Sequence, residues 1–288
     1  MDYINYVKQQ PITGIAGLGG GAASLQFHHT DGGGGGGSYG GAGPSTRAVV
    51  GGGYVPGSPF DSNVMNYFAV MTTANAQDFG DLSHIRQDMG AASNGPRAVY
   101  GGGHGNGEQN IMDYITIAST GNATDFGDFN SNTIRNPGSA NDRTRGVISV
   151  GGSGHPASGL LEYITIANTG NASSFGQLNV SAVYIGLSAS SDVRGVFGSG
   201  NVSPNTALDY ITIQTLGNGT DFGDLMTNGF MADATGNDVR MVRSGGGPSF
   251  SDVMEYVTYA SPGNGTDFGD LTFDVAATAG TSNGHGGL

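Results

Sequence analysis

Cysteine is absent from this chain, which removes both a disulfide framework and any thiolate metal site and leaves the redox compartment open. Positive charge is nearly as scarce: one lysine, Lys8, and nine arginines stand against 23 acidic residues, for a formal net charge of −13. Proteins that neutralise phosphates need a basic stripe, and none is present, so nucleic acid is not an expected partner. An anionic membrane surface would repel the same charge. No apolar run reaches the roughly 18 residues that a spanning helix needs. The first residues, "MDYINYVKQQ", carry Asp2 and lack the apolar segment of a secretory signal. The expectation is a protein made and soluble in a cytoplasm.

What the chain has in excess is glycine, 55 of 288 residues, with only 11% charged residues. There is no Gly-X-Y period, and proline is only 10, so neither a collagen-like nor a Pro-rich disordered chain fits. The apolar residues fall in short runs, as in many short strands joined by Gly-rich turns.

Those runs repeat. A Tyr-led segment recurs at Tyr3, Tyr67, Tyr114, Tyr163, Tyr210 and Tyr256, and a turn of the form "DFGD" recurs around Phe79, Phe126, Phe175, Phe222 and Phe268. An Arg-led apolar run ending in glycine then begins at Arg47, Arg97, Arg145, Arg194 and Arg240. From Tyr67 onward the Tyr spacings are 47, 49, 47 and 46, while the first interval is 64. The excess lies in "DGGGGGGSYGGAG" at 31–43, which reads as a flexible Gly-rich loop. With "NGHGGL" at 283–288 as a degenerate Arg-led run, the count is six units in a single repeat domain. They span about 1–53, 61–103, 111–152, 160–200, 207–247 and 252–288.

In "DYITIA" the β-branched and aromatic residues suit a pleated surface. Tyr114, Thr116 and Ala118 alternate with Ile115 and Ile117, and neither set is charged, so both faces are expected to be covered by neighbouring sheets. Each unit, about 47 residues long, cannot bury its faces alone and must stack on its neighbours. The expected architecture is all-β: a six-unit propeller closed by its terminal segments. An open β-solenoid or a filament-forming stack is the alternative architecture, and five full blades plus an N-terminal segment docked on a partner is the alternative count.

Two resemblances follow from these residues. The order apolar run, Gly-Gly, Tyr and aromatic in "RAVYGGGHGNGEQNIMDYITIASTGNATDF" resembles the kelch repeat of β-propellers, with Gly101, Gly102, Tyr114 and Phe126 at the matching positions. It departs in having no tryptophan, with Phe126 at that position, and in placing an acid before the Tyr. The segments 112–129, 145–152, 161–178, 194–200 and 208–225 are similar to repeats in virion-associated proteins of marine tailed phages, especially cyanophages. That likeness implies a non-enzymatic virion component, such as a tail fibre, appendage or capsid-surface protein. It also implies other virion proteins as partners, a host surface glycan or protein as a possible target, and a homo-oligomer or larger assembly.

Candidate chemistry is sparse. "DFG" evokes a kinase metal motif, but it occurs four times without the partner lysine or catalytic loop. Calcium is the better cation, since Asn122, Asp125 and Asp128 supply hard oxygen ligands on a turn, repeated at Asp221/Asp224 and Asp267/Asp270. Against it, the copy at 161–178 has Ser174 and Gln177 in place of both acids and keeps Phe175 and Gly176, as a packing turn would. No other cofactor is implied. The arginines Arg47, Arg97, Arg145, Arg194 and Arg240 are expected to pair with "DFGD" carboxylates of neighbouring units, which hold eight of the 23 acids; a cationic ring for an anionic ligand is the alternative. The six histidines show no metal spacing. A glycan hydrolase needs only two carboxylates across a cleft, so a polysaccharide-binding or polysaccharide-degrading virion protein is a second functional reading. An architectural filament is the third.

Overall fold

The computed structural model describes residues 47–276, except 56–59, 70–72, 106, 108, 133, 136, 151–158, 180–186, 199, 201–204, 231 and 248–249. Tyr3, the glycine tract at 31–43 and the closing "NGHGGL" lie outside the described residues.

Among the described residues every regular element is a strand. The first blade holds β1 (Arg47–Gly51), a side ribbon of β2 (Tyr54–Val55) and β3 (Phe60–Asp61), then β4 (Val64–Ala69) and β5 (Gln77–Asp81). The second holds β6 (Gly90–Ser93), β7 (Arg97–Gly101), β8 (Ile111–Thr116) and β9 (Thr124–Asp128). The third holds β10 (Ser139–Asn141), β11 (Arg145–Ser149), β12 (Leu160–Thr165) and β13 (Ser173–Gln177). The fourth holds β14 (Ser188–Ser190), β15 (Arg194–Gly198), β16 (Ala207–Thr212) and β17 (Thr220–Asp224). The fifth holds β18 (Asp233–Gly236), β19 (Arg240–Ser244), β20 (Ser251–Thr258) and β21 (Thr266–Val275).

Each blade is an antiparallel meander, and β6, β10, β14 and β18 lie side by side in succession as its innermost strands. Their residues are small (GAAS, SAN, SAS, DATG), which lets the backbones crowd together around the axis. The Ser188 hydroxyl donates to the Ser139 carbonyl and accepts from the Ser139 amide, and Ser190 does the same with Asn141. The result is a five-bladed β-propeller arrangement, not a linear stack.

The count corrects the six units expected. An Arg-led strand of one unit pairs with the Tyr-led strand of the next, for example Val147 opposite Tyr163 and Val196 opposite Tyr210. Every sheet therefore draws on two consecutive units, and five Arg-led strands generate five sheets.

The apolar core lies between blades. One cluster joins Val99, Met112, Phe126 and Phe129 of the second blade to Ile148, Ile164 and Ile166 of the third. Others join the first to the second, the third to the fourth, and the fourth to the fifth. Each fully buried large side chain contributes about 1.5–3 kcal/mol. Burial pushes the phenols of Tyr100 and Tyr259 above their ordinary pKa, and the Tyr100 hydroxyl donates to the Val49 carbonyl across the first interface.

The expectation that both faces of "DYITIA" are covered holds only in part. Met112 is buried toward the third blade while Asp113 and Ile115 are buried toward the first, so both faces are covered there; the β-bulge at this point leaves its extra residue, Phe126, on β9. Thr116 is exposed at the strand's end, and Ile117 and Ala118 already belong to the following turn.

Gly127 shows how closely blades approach. A Cβ there would sit 2.5 Å from the Gly170 carbonyl carbon of the next blade, at a φ of +137°. Gly127→Ala should therefore lower unfolding free energy by about 1–3 kcal/mol in urea titration. An unchanged midpoint would show that the rim can spread to admit a methyl group.

Candidate functional site

Three kinds of contact repeat at each of the four described interfaces and a fourth at three of them, and together they account for the letters that the chain repeats. The first is a backbone clasp at the rim. The turn before β9 donates the Gly121 and Ala123 amides to the Phe79 and Asp81 carbonyls of the first blade, while the Asn122 side-chain oxygen accepts from the Asp81 amide. The same pattern recurs with Gly170, Asn171 and Ala172, with Gly217, Asn218 and Gly219, and with Gly263, Asn264 and Gly265. Only a tight Gly-Asn turn offers both amides and a side-chain acceptor in so short a span.

The second contact was missed by sequence reasoning. The acid preceding each Tyr (Asp113, Glu162, Asp209 and Glu255) is buried. It accepts from the amide just beyond the preceding blade's outer strand: Ser83 to Asp113 at 3.2 Å, Asn130 to Glu162 at 2.8 Å, Asn179 to Asp209 at 2.7 Å and Met226 to Glu255 at 2.5 Å. Charge-assisted bonds of this kind hold a carboxylate in the interior. The signal was on view as the departure from the kelch order, an acid before the Tyr.

Two of these acids also meet an arginine. Arg86, on the loop entering the second blade, reaches Asp113 at 2.6 Å and the carbonyls of Gly102 and Ile111. Arg243 lies 3.4 Å from Glu255 and donates to the Asn228 carbonyl and Thr227 hydroxyl. Burial pulls both guanidiniums below their ordinary pKa, and the paired carboxylates oppose that shift. Sequence reading assigned neither arginine a role.

The third contact corrects the expected Arg–carboxylate pairs. Arg47, Arg97, Arg145, Arg194 and Arg240 stack over Tyr67, Tyr114, Tyr163, Tyr210 and Tyr256, with the guanidinium carbon 4.3–4.7 Å from the ring centre. The register explains it: Arg145 pairs with Thr165 and Val147 with Tyr163, so Arg and Tyr are diagonal neighbours on one face. Phe79, Phe126, Phe175, Phe222 and Phe268 meet those tyrosines edge-on at 5.8–6.2 Å, completing an Arg–Tyr–Phe ladder in each blade. Four of the arginines also donate across the interface, Arg47 to the Ile117 carbonyl, Arg97 to Ile166 and Ala167, Arg145 to Ile213 and Arg194 to Tyr259. Among the described residues none of the five is in an ion pair.

The fourth is the seam of inner strands described above. The residues considered for calcium sit on the outer rim. Asp125, Asp128, Asp221, Asp224, Asp267 and Asp270 are exposed on outer strands, and Asn122 is turned toward the preceding blade. Asp221 and Asp267 each accept from the amide of the glycine two residues on, Gly223 and Gly269. Among the described residues no three His, Asp or Glu side chains are grouped to hold a metal ion.

With the strands spent on contacts, variation is left to one end of the propeller. In a four-stranded meander, the connection between the second and third strands and the crossover to the next blade leave from the same end. These connections differ from blade to blade: "GGHGNGEQN" at 102–110 against "GGGPSF" at 245–250, and "LSHIRQDM" at 82–89 against "LMTNGFMA" at 225–232. Between them Arg135 bonds Asp88 at 2.9 Å, tying two successive crossovers. The opposite end carries the repeated hairpins and clasp turns. This loop-bearing end is the candidate functional surface.

No family model matches the chain, and no curated protein does. Among solved structures, that of YjhT matches with a TM-score of 0.58 at 10% identity, covering 76% of this chain and 80% of YjhT. At that identity the likeness concerns the fold alone.

The ladder makes a direct prediction. Arg145→Ala removes a stacked cation and an interblade bond and should cost about 1–3 kcal/mol of unfolding free energy. Arg145→Lys should recover only part of it, because a point charge replaces the planar fork. Equal stability of all three proteins by denaturant titration would mean that the stack and its carbonyl bond contribute nothing.

Proposed function

We propose that the protein is a non-enzymatic display scaffold in a phage virion, a tail-fibre, appendage or capsid-surface component, that offers the loops of one propeller end to a host surface or partner protein. The observation that carries this reading is the division of labour along the chain. The repeated residues are consumed by contacts between blades, and sequence diversity collects in the connections at a single end. Recognition is commonly placed on such loops over a rigid frame. The virion setting is supported by the likeness of "YITIASTGNATDFGD" (114–128) and its copies to virion-associated repeats.

Antibodies raised against the protein should decorate purified particles in electron micrographs. Replacing "HGNGEQN" at 104–110 by a Gly/Ser stretch of equal length should weaken particle or protein binding to host cells at least about tenfold while moving Tm by under about 4 °C. Particles that carry no label, or release of sugar from host polysaccharide by the protein alone, would overturn the proposal.

A further inference from the structure

The fifth blade presents a core face with nothing over it among the described residues. In the first four blades the face turned to the next blade buries the outer-strand phenylalanine: Phe79, Phe126, Phe175 and Phe222 are 2–4% exposed. Phe268, the same residue of the fifth blade, is 50% exposed. Met65, Met112, Leu161 and Leu208 are buried, but Met254 is not; Leu82, Phe129, Leu178 and Leu225 are buried, but Leu271 is not. Phe273 beside them is 66% exposed. The hydrogen-bonding halves are open as well. Among the described residues no group donates to the Phe268 or Asp270 carbonyl in the rim clasp, and none offers the Arg240 guanidinium the interblade carbonyl that the other four arginines reach.

The first blade is a poor cover. It carries Asn66 where the other blades have the buried acid, and Ala74 where the clasp turn has glycine. The chain holds a better match. Met1-Asp2-Tyr3-Ile4-Asn5-Tyr6 parallels Met254-Glu255-Tyr256-Val257-Thr258-Tyr259, the strand that covers the fourth blade, and Met112-Asp113-Tyr114 repeats its first three residues. We propose that residues 1–7 cover the exposed face of the fifth blade, with the Asp2 carboxylate accepting from the Thr272 amide and the Arg240 guanidinium donating to the Tyr6 carbonyl. The four internal precedents set both contacts. In each, the acid before the Tyr takes the amide of the residue equivalent to Thr272, and the arginine takes the carbonyl three residues after the Tyr. The 46 residues before β1 are joined to the first blade, and at about 3.3 Å per residue they are long enough to reach the fifth.

Hydrogen exchange on the full chain tests this. The peptide 266–275 should be protected to within about threefold of its clasped counterpart 220–226, independently of protein concentration, and Asp2→Ala should speed its exchange by roughly tenfold or more without changing peptides of the third blade. Because cysteine is absent, Asp2→Cys combined with Thr272→Cys gives a second reading, an intrachain disulfide on mild oxidation of the monomer. Rapid exchange of 266–275 in the unmodified protein would overturn the proposal. So would protection that grows with concentration, which would assign the face to a second copy, protection indifferent to Asp2→Ala, or thiols that stay free or link only between chains.

Discussion

Burial of apolar surface between consecutive sheets is the constraint on which this molecule depends. A single four-stranded sheet with strands of three to ten residues cannot enclose anything. Its valines, isoleucines and phenylalanines leave water only when the next sheet is laid over them. The buried clusters all straddle two blades, so no blade has a core of its own. At roughly 25 cal/mol per Å² of apolar area removed from water, this term dwarfs the individual polar links. It is non-directional, however, and would tolerate blades slipping past each other.

The polar contacts supply the register that burial lacks. The Gly-Asn clasp fixes the rim, the buried acid fixes the loop beyond the outer strand, the arginine crosses from its tyrosine to a carbonyl of the next blade, and serine hydroxyls fix the inner seam. Each is worth only about 0.5–3 kcal/mol, but each demands a specific residue at a specific position. That is why so much of the sequence repeats and why the residues free to vary lie at one end. The functional proposal rests on this partition.

Much of the architecture is legible in the letters. The three landmarks locate strands and turns, and the uncharged "DYITIA" segments imply sheets that cover one another. The blade count is harder to read, because the most natural place to cut the repeat, before the Tyr, splits every sheet between units. Pairing across that cut depends on which strands are neighbours in space, which spacing alone does not reveal. The arginine's partner was hidden for a similar reason: excess acid suggests an ion pair, whereas cross-strand register delivers a tyrosine ring. Asp113, Glu162, Asp209 and Glu255 were visible as a pattern, yet a carboxylate beside an aromatic normally reads as a solvated position. Their burial follows from an uncapped backbone amide in the neighbouring blade at each interface, joined by side-chain donors and, at Asp113 and Glu255, by a buried arginine.

The measurement that bears most directly on the central claim concerns Ile166, which belongs to the third blade but is fully buried in the cluster shared with the second. Ile166→Ala, followed by native-state hydrogen exchange, should destabilise β7 and β8 of the second blade as strongly as β11 and β12 of the third. Acceleration confined to the third blade would contradict the account, because it would mean that each sheet holds itself together without its neighbour.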